Sequence, residues 1–335
     1  ERMPVLNIML ILLIVFVVIL LLILSVRRHI AIKLALEAIA PRDISYGAVL
    51  SQEITRNHID RSLMDLKYDK LFLKNARGQE LIARLYLASA QTDHYILFLH
   101  GYNYPWVGAL KYLPMLLERG FNVLVPDQQA QGESQGDFIT FGTLESDDAL
   151  EWLTQITRHA RLNGFERART GIMGESMGAV TALLAMEKAN SPSVPLENKP
   201  LFCIADCPFS DWDSMMTLQF QKRSSLSPKL LLPLVKLIIK TKTGVDMSSI
   251  SAVQAAKNIR VPVLLFHGTK DPLVPCSMSE EIAKANPNIT FCPIEGAKHM
   301  NCYTTNPQEY CRQIDQLLTK VPFENQAAEE IAVYL

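Results

Sequence analysis

The sequence carries almost no excess charge of either sign. Lys and Arg number 33 against 34 Asp and Glu, a formal net charge of −1. No basic tract interrupts the chain, so nothing in it would neutralise a phosphate backbone, and nucleic acid is not an expected partner. The seven histidines lie far apart, and the six cysteines (Cys203, Cys207, Cys276, Cys292, Cys302 and Cys311) fit no zinc spacing, so no metal is expected. No Gly-rich loop ends in Lys-Ser/Thr and no dinucleotide fingerprint occurs, so no cofactor is expected either. The cysteines would be able to pair in an oxidising compartment, but a domain of this size does not depend on disulfides for its core. The chain also lacks internal repeats and low-complexity stretches.

What it has in excess is an uncharged run near the start. Residues 5–26, VLNIMLILLIVFVVILLLILSV, carry no charge, and about 20 helical residues rising ~1.5 Å each cover the ~30 Å hydrocarbon core of a bilayer. Residues 1–28 therefore read as an N-terminal transmembrane helix. A buried core helix rarely needs so long an apolar run. A cleaved signal peptide has an apolar region of only about 7–15 residues and a small-x-small site, whereas this run ends in Ser25-Val26-Arg27-Arg28. Arg27, Arg28 and Lys33 follow the run and only Arg2 precedes it. By the positive-inside count the rest of the chain lies in the cytoplasm.

Residues 29–66 read as a helical juxtamembrane segment. RRHIAIKLALEAIA stops before Pro41 and sets Ile32, Leu36 and Ile39 on one face, either prolonging the anchor or lying along the membrane surface. A second helix, roughly residues 47–66, sets Ile59, Leu63 and Leu66 on one face and would cap the domain that follows. Residues 67–335 read as that domain. KLFLK and ELIARLYL form an antiparallel opening, and YILFLH, FNVLVPD, ARTGIMG, PLFCIAD, PVLLFHG and ITFCPIEG are apolar runs ending in turn residues. Between most of them lie helix-like segments: ALKYLPMLLERG, SDDALEWLTQITRHA, GAVTALLAMEKAN, SMSEEIAKANP and NPQEYCRQIDQLLTK. Such alternation predicts an α/β fold, a mostly parallel central sheet with helices on both faces, whose ligands bind beyond the carboxyl ends of the strands. Residues 208–258, including SPKLLLPLVKLIIKT, are too long for an ordinary connection and predict a helical lid insertion. Its apolar face either lines an acyl pocket or packs on the sheet.

Gly-x-Ser-x-Gly occurs twice, around Ser134 in AQGESQGDF and around Ser176 in GIMGESMGAV. The pattern is expected by chance about once in ten chains of this length, so context decides. A nucleophile on a sharp strand-to-helix turn needs a strand leading in and a helix leading out. Ser176 has ARTGIMG before it and GAVTALLAMEKA after it, with Gly174, Gly178 and Ala179 small where strand and helix approach. Ser134 stands well past the end of VLVPD, and DFITFG behind it is no helix start.

A serine hydroxyl needs a histidine to take its proton and a carboxylate to fix the histidine's tautomer. Asp271 follows PVLLFHGTK and His299 follows ITFCPIEGAK, each just past a strand. Asp206, after PLFCIA, is the alternative acid. An oxyanion hole would take one N–H from Met177, at the positive end of the helix after Ser176, and one from Tyr102 in the turn His100-Gly101-Tyr102-Asn103. His100 and His267, each followed by Gly, read as braces for their loops.

These residues resemble the α/β-hydrolase superfamily over residues 68–320. The matching elements are LFLHGY, PDQQAQGESQG, GIMGESMG, PVLLFHGTKDPLVP and GAKHM. Within it the chain is most similar to membrane-anchored bacterial hydrolases and to the cinnamoyl-esterase and serine-peptidase-like branch. The resemblance implies the α/β-hydrolase fold and assigns Ser134 to a loop neighbouring the site. Many relatives carry Arg and His in that loop where this chain has Gln129 and Gln131. His-Gly-Tyr in place of a glycine run leans away from bulky triglycerides. The expectation is thus a membrane-anchored serine hydrolase acting on carboxylic esters, including thioesters or lipid esters, through Ser176, His299 and Asp271. Its partners would be a small-molecule or acyl-chain ester and the bilayer. A serine peptidase and a catalytically silent binding protein are the alternatives.

Overall fold

The computed structural model describes residues 5–42, 46–223 and 226–323. The expectations for residues 1–4 and 324–335 fall outside them. Every apolar run forms a strand: β1 Asp69–Lys74, β2 Glu80–Tyr86, β3 His94–Leu99, β4 Asn122–Pro126, β5 Arg169–Glu175, β6 Phe202–Asp206, β7 Val263–Gly268 and β8 Ile289–Ile294. They build one sheet in the order β1-β2-β4-β3-β5-β6-β7-β8. β1 and β2 pair antiparallel, as do β2 and β4, and every pairing from β4 to β8 is parallel. The helices are α1 Val5–Ile39, α2 Tyr46–Thr55, α3 Leu113–Glu118, α4 Thr143–Leu162, α5 Met177–Lys188, α6 Trp212–Arg223, α7 Pro228–Thr243, α8 Ala252–Asn258, α9 Cys276–Lys284, α10 Cys302–Thr305 and α11 Pro307–Leu318.

Strands β3 to β7 are buried on both faces, which is why they read as continuous apolar runs, whereas the edge strand β8 exposes Thr290 and Pro293. In β3, Tyr95, Leu97 and Leu99 join one core layer while Ile96 and Phe98 join the other. The first layer is closed by α4, α5, α8 and α9, the second by α3 and α11. α5 is the helix nearest the sheet: every residue from Met177 to Met186 is buried, and its alanines and Gly178 let it lie close beneath β3 and β5. ALKYLPMLLERG divides at Tyr112, a 3₁₀ turn over Trp106–Lys111 preceding α3, because Pro114 has no N–H to continue the earlier turn.

α1 is one unbroken helix of 35 residues, about 50 Å long. The segment after the apolar run therefore prolongs it. From Asn7 to Ile39 it is long and apolar enough to cross a membrane. Residues 7–26 are exposed, and burial begins at Arg27, where the uncharged run ends. The face that buries is Ala31, Ala35 and Ile39, whereas Leu36 is 40% exposed. The expected stripe of Ile32, Leu36 and Ile39 is thus corrected by one residue around the helix. The cause is tertiary: α1 packs against α7, whose buried face is Leu231, Val235 and Ile239, and alanines at i and i+4 allow two helices to come close.

The stretch expected to be one helix over residues 47–66 is two elements. α2 ends at Thr55, Asn57 adopts a φ of +59°, and a 3₁₀ turn over Arg61–Asp65 begins at Asp60, whose carboxylate accepts from the Ser62 N–H. Ile59 is nevertheless buried, with Leu63 and Leu66 packed on the same core layer. Between β6 and β7, α8 packs on α5 as a crossover helix, leaving α6 and α7 as the inserted pair. The apolar face of α7 meets α1, which neither sequence expectation for this insertion included.

Candidate active site

Five chain segments leave the carboxyl ends of neighbouring parallel strands at one place: His100-Gly101-Tyr102 after β3, Ser176 after β5, Asp206-Cys207 after β6, Asp271 after β7 and His299 after β8. Ser176 adopts φ +55° and ψ −118° between the last residue of β5 and the first of α5. The turn requires glycine two residues to either side of the serine. A Cβ on Gly174 would overlap the carbonyl of Gly178, and one on Gly178 would overlap the carbonyl of Leu99. The Ser176 N–H donates to the backbone carbonyl of Asp206 at 2.8 Å, which fixes the turn to β6.

The structure brings Ser176, His299 and Asp271 into one hydrogen-bonded chain. Ser176 Oγ lies 2.8 Å from His299 Nε2, and His299 Nδ1 lies 2.6 Å from Asp271 Oδ2. With Nδ1–H donating to the carboxylate, Nε2 is left to accept the serine proton. The Asp271 side chain is buried, and its Oδ1 accepts the N–H groups of Leu273 and Val274 at 2.8 and 2.9 Å. Burial works to raise its pKa, but hydrogen bonds from His267 and His299, the charge of His299 and the Val274 N–H outweigh it and hold the carboxyl well below the usual carboxylate range. His267 Nε2 stands 3.3 Å from Asp271 Oδ2 and 2.9 Å from the Val274 carbonyl, while its Nδ1 accepts from Ser279 at 2.6 Å. His267 thus braces the acid's loop. His100, also fully buried, bonds the Gly101 carbonyl through Nδ1 and the Gln128 N–H through Nε2.

The Tyr102 turn lies against the serine: a Cβ on Gly101 would stand 3.4 Å from Ser176 Cβ. Met177 opens α5, so its N–H is among those that helix geometry leaves without an intrahelical acceptor. The Tyr102 ring stacks on Phe141 at 5.3 Å, and Phe141 meets the edge of Trp212 from the inserted pair.

The other candidates fall elsewhere. Ser134 Oγ donates to the Asp127 carbonyl at 2.5 Å and accepts the Ile82 N–H at 2.9 Å, tying its loop to β2. The Asp206 carboxylate accepts from Tyr310 at 3.1 Å and Tyr112 at 3.4 Å, so its partners are phenols and Asp271 is the carboxylate on His299. Gln131 Oε1 accepts the Asn103 N–H at 2.7 Å, and Gln129 bridges Arg77 and the Phe138 carbonyl. Both glutamines position loops, Gln131 through a neutral backbone N–H and Gln129 through the charged guanidinium of Arg77. The thiol of Cys207 completes a set with Asp271 and His299 whose donor atoms lie within 4.8 Å of one another. Burial, with Asp206 and Glu175 nearby, pushes that thiol well above its usual pKa, so it stays protonated and is a poor metal donor. All six cysteines are free.

Sequence reasoning missed Lys111 and Glu175. Their side chains are each 1% exposed and Lys111 Nζ lies 2.5 Å from Glu175 Oε1. Tyr112 donates to the same oxygen at 2.9 Å. Burial alone would lower the Lys111 pKa, but the carboxylates of Glu175, Glu53 and Asp206 outweigh it and hold the ammonium charged. A lysine inside the apolar stretch GALKYL was the available signal.

Comparison with known proteins places these residues in context. The family model described as the alpha/beta hydrolase family matches residues 96–313. The uncharacterized protein YqkD of Bacillus subtilis is 28% identical over 273 residues, 81% of this chain and 86% of the relative. The fold is similar to that of the Pyrococcus furiosus esterase Pf2001, with a TM-score of 0.62 and 20% identity, covering 85% of this chain and 98% of that one. It is also similar to Est1E of Butyrivibrio proteoclasticus, solved with ferulic acid, with a TM-score of 0.50 and 18% identity over 78% of this chain and 99% of that one. At those identities the likeness concerns the fold.

Proposed function

The chain belongs to the alpha/beta hydrolase family, and from that premise we propose that it is a membrane-anchored serine hydrolase of carboxylic esters. Ser176 attacks the acyl carbonyl while His299 Nε2 takes the hydroxyl proton, and Asp271 holds the imidazole in the tautomer that can accept it. The N–H groups of Tyr102 and Met177 receive the oxyanion, with the positive end of α5 behind Met177. His299 returns its proton to the leaving alkoxide. Water, deprotonated by the same imidazole, then releases the acid and restores Ser176. Esters are the favoured class because their leaving group needs the least assistance. α1 spans the bilayer, and Arg27, Arg28 and Lys33 keep the hydrolase domain on the cytoplasmic side.

The observation that carries this reading is the chain Ser176 Oγ, His299 Nε2, His299 Nδ1, Asp271 Oδ2, with links of 2.8 and 2.6 Å, on a serine with the strained backbone of a strand-to-helix turn. Labelling by a fluorophosphonate probe tests it without a substrate. Label should appear on wild type and on Ser134→Ala and vanish on Ser176→Ala. Folded wild type that takes no label would overturn the assignment in favour of a silent binding protein. For a long-chain acyl substrate, turnover of p-nitrophenyl esters should rise with chain length; a flat or falling profile excludes it.

A further inference from the structure

Lys111 touches both sides of the proposed centre without being part of it. Its Nζ donates to Glu175 Oε1 at 2.5 Å and to the backbone carbonyl of Met300 at 2.9 Å. Glu175 is the residue before Ser176, and Met300 is the residue after His299. One buried ammonium therefore spans the residue leading into the nucleophile and the residue leaving the base, which lie on loops after β5 and β8. Met300 has a φ of +61°, a conformation that non-glycine residues hold only where surrounding contacts determine it. The Lys111 bond to its carbonyl is such a contact.

Stability alone does not account for the pair. Taking an ammonium and a carboxylate out of water is costly, and apolar residues of similar size often serve a core as well or better. A second carboxylate, Asp206, shares Tyr112 with Glu175 at 3.4 Å, so the cluster gains no simplicity from being charged. What the ammonium supplies, and an apolar side chain would not, is a donor in two directions at fixed spacing.

We propose that Lys111 is a positioning residue that holds the His299 loop in register with Ser176 by donating to the Met300 carbonyl. The proposal rests on the reading of Ser176 and His299 given above. It acts through the loop that carries His299: with the donor gone the Met300 peptide is free to turn, the imidazole wanders from the serine hydroxyl, and reaction slows while binding of the probe does not. Misplacement on the order of 1 Å costs about a hundredfold in rate.

The test uses full-length protein in detergent and the double variant Lys111→Met/Glu175→Met, which removes the two charges of the ion pair together, while the buried Asp206 carboxylate keeps its bonds from Tyr112 and Tyr310. Two quantities are read: the rate of fluorophosphonate labelling, resolved into probe affinity and the limiting rate, and hydrogen–deuterium exchange over residues 296–303. The expected result is a thermal midpoint near wild type, a limiting rate about 10- to 100-fold lower with probe affinity unchanged, and faster exchange confined to that loop. A variant that labels and exchanges like wild type would show that Lys111 only balances Glu175, and the proposal would fall. If wild type itself takes no label, the reading of Ser176 fails instead, and the exchange comparison still decides whether Lys111 holds the loop.

Discussion

The hydroxyl of Tyr102 donates to the carbonyl oxygen of Ala38 across 2.9 Å. Ala38 lies in the last turn of α1, where helix geometry leaves carbonyls without intrahelical donors. The helix that begins in the apolar run thus ends bonded to the loop facing Ser176. The Ile139 N–H also donates to the Ile39 carbonyl at 2.9 Å.

Two truncations should therefore behave differently. Removing the chain through Val26 takes away a segment whose residues 7–26 are all exposed and should yield a soluble, folded domain that labels like the full chain. Removing it through Arg42 also strips Ala31, Ala35 and Ile39, all buried, together with the acceptor of Tyr102. Burial of Ile39 alone is worth about 1.5–3 kcal/mol, so the urea midpoint should fall by an amount equivalent to about 3 kcal/mol. Equal midpoints for the two would show that α1 contributes nothing to the domain.

The two carboxylates near the centre should separate cleanly. Asp271→Asn leaves the shape of the site but no longer fixes the tautomer of His299, and probe labelling should slow on the order of 10³- to 10⁴-fold. Asp206→Asn leaves His299 untouched and replaces the charged acceptor of Tyr112 and Tyr310. It should cost about 1–3 kcal/mol of stability and keep labelling within about tenfold. The reverse ranking of labelling rates would make Asp206 the acid.

Ser134→Ala should act on the fold and not on the chemistry. The hydroxyl is the acceptor for the buried Ile82 N–H, and an orphaned buried donor costs about 1–3 kcal/mol. The denaturant midpoint should drop accordingly while the labelling rate of folded protein is unchanged.

How far the sequence could be read depends on the distance over which its signals act. Each strand is announced by its own apolar run and closing turn residues, and Ser176 by the strand and helix on either side of it. His299 and Asp271 stand in the turns that follow β8 and β7, so local pattern places them at the right edge of the sheet and the structure shows them bonded. Tertiary partners left no such mark. Ala31 and Ala35 were passed over for Ile32 and Leu36 because hydrophobicity ranks the larger residues first, whereas packing against α7 favours the smaller. Lys111 and Glu175 are 64 residues apart, and nothing near either announces the other. The break at Asn57 needed a positive φ that the helical spacing of Ile59, Leu63 and Leu66 concealed.

Asp148 offers a pH signature away from the site. It is 3% exposed and accepts from Asn75 Nδ2 at 2.9 Å and from Arg77 Nη2 at 2.5 and 2.6 Å. Burial, only partly opposed by Arg77 and Asn75, raises its pKa from 3.8 to about 6. Because the folded pKa lies above the unfolded one, the native state binds this proton more tightly. Its contribution is therefore most favourable below about pH 4 and is lost as the pH rises through about 6. A shift of this size corresponds to about 2–3 kcal/mol. Asp148→Asn abolishes the titration, so the stability of wild type minus that of the variant, measured by urea unfolding, should decline between about pH 4 and 7 and stay level above that. A difference independent of pH would show that Arg77 compensates the burial in full and that the carboxyl titrates normally.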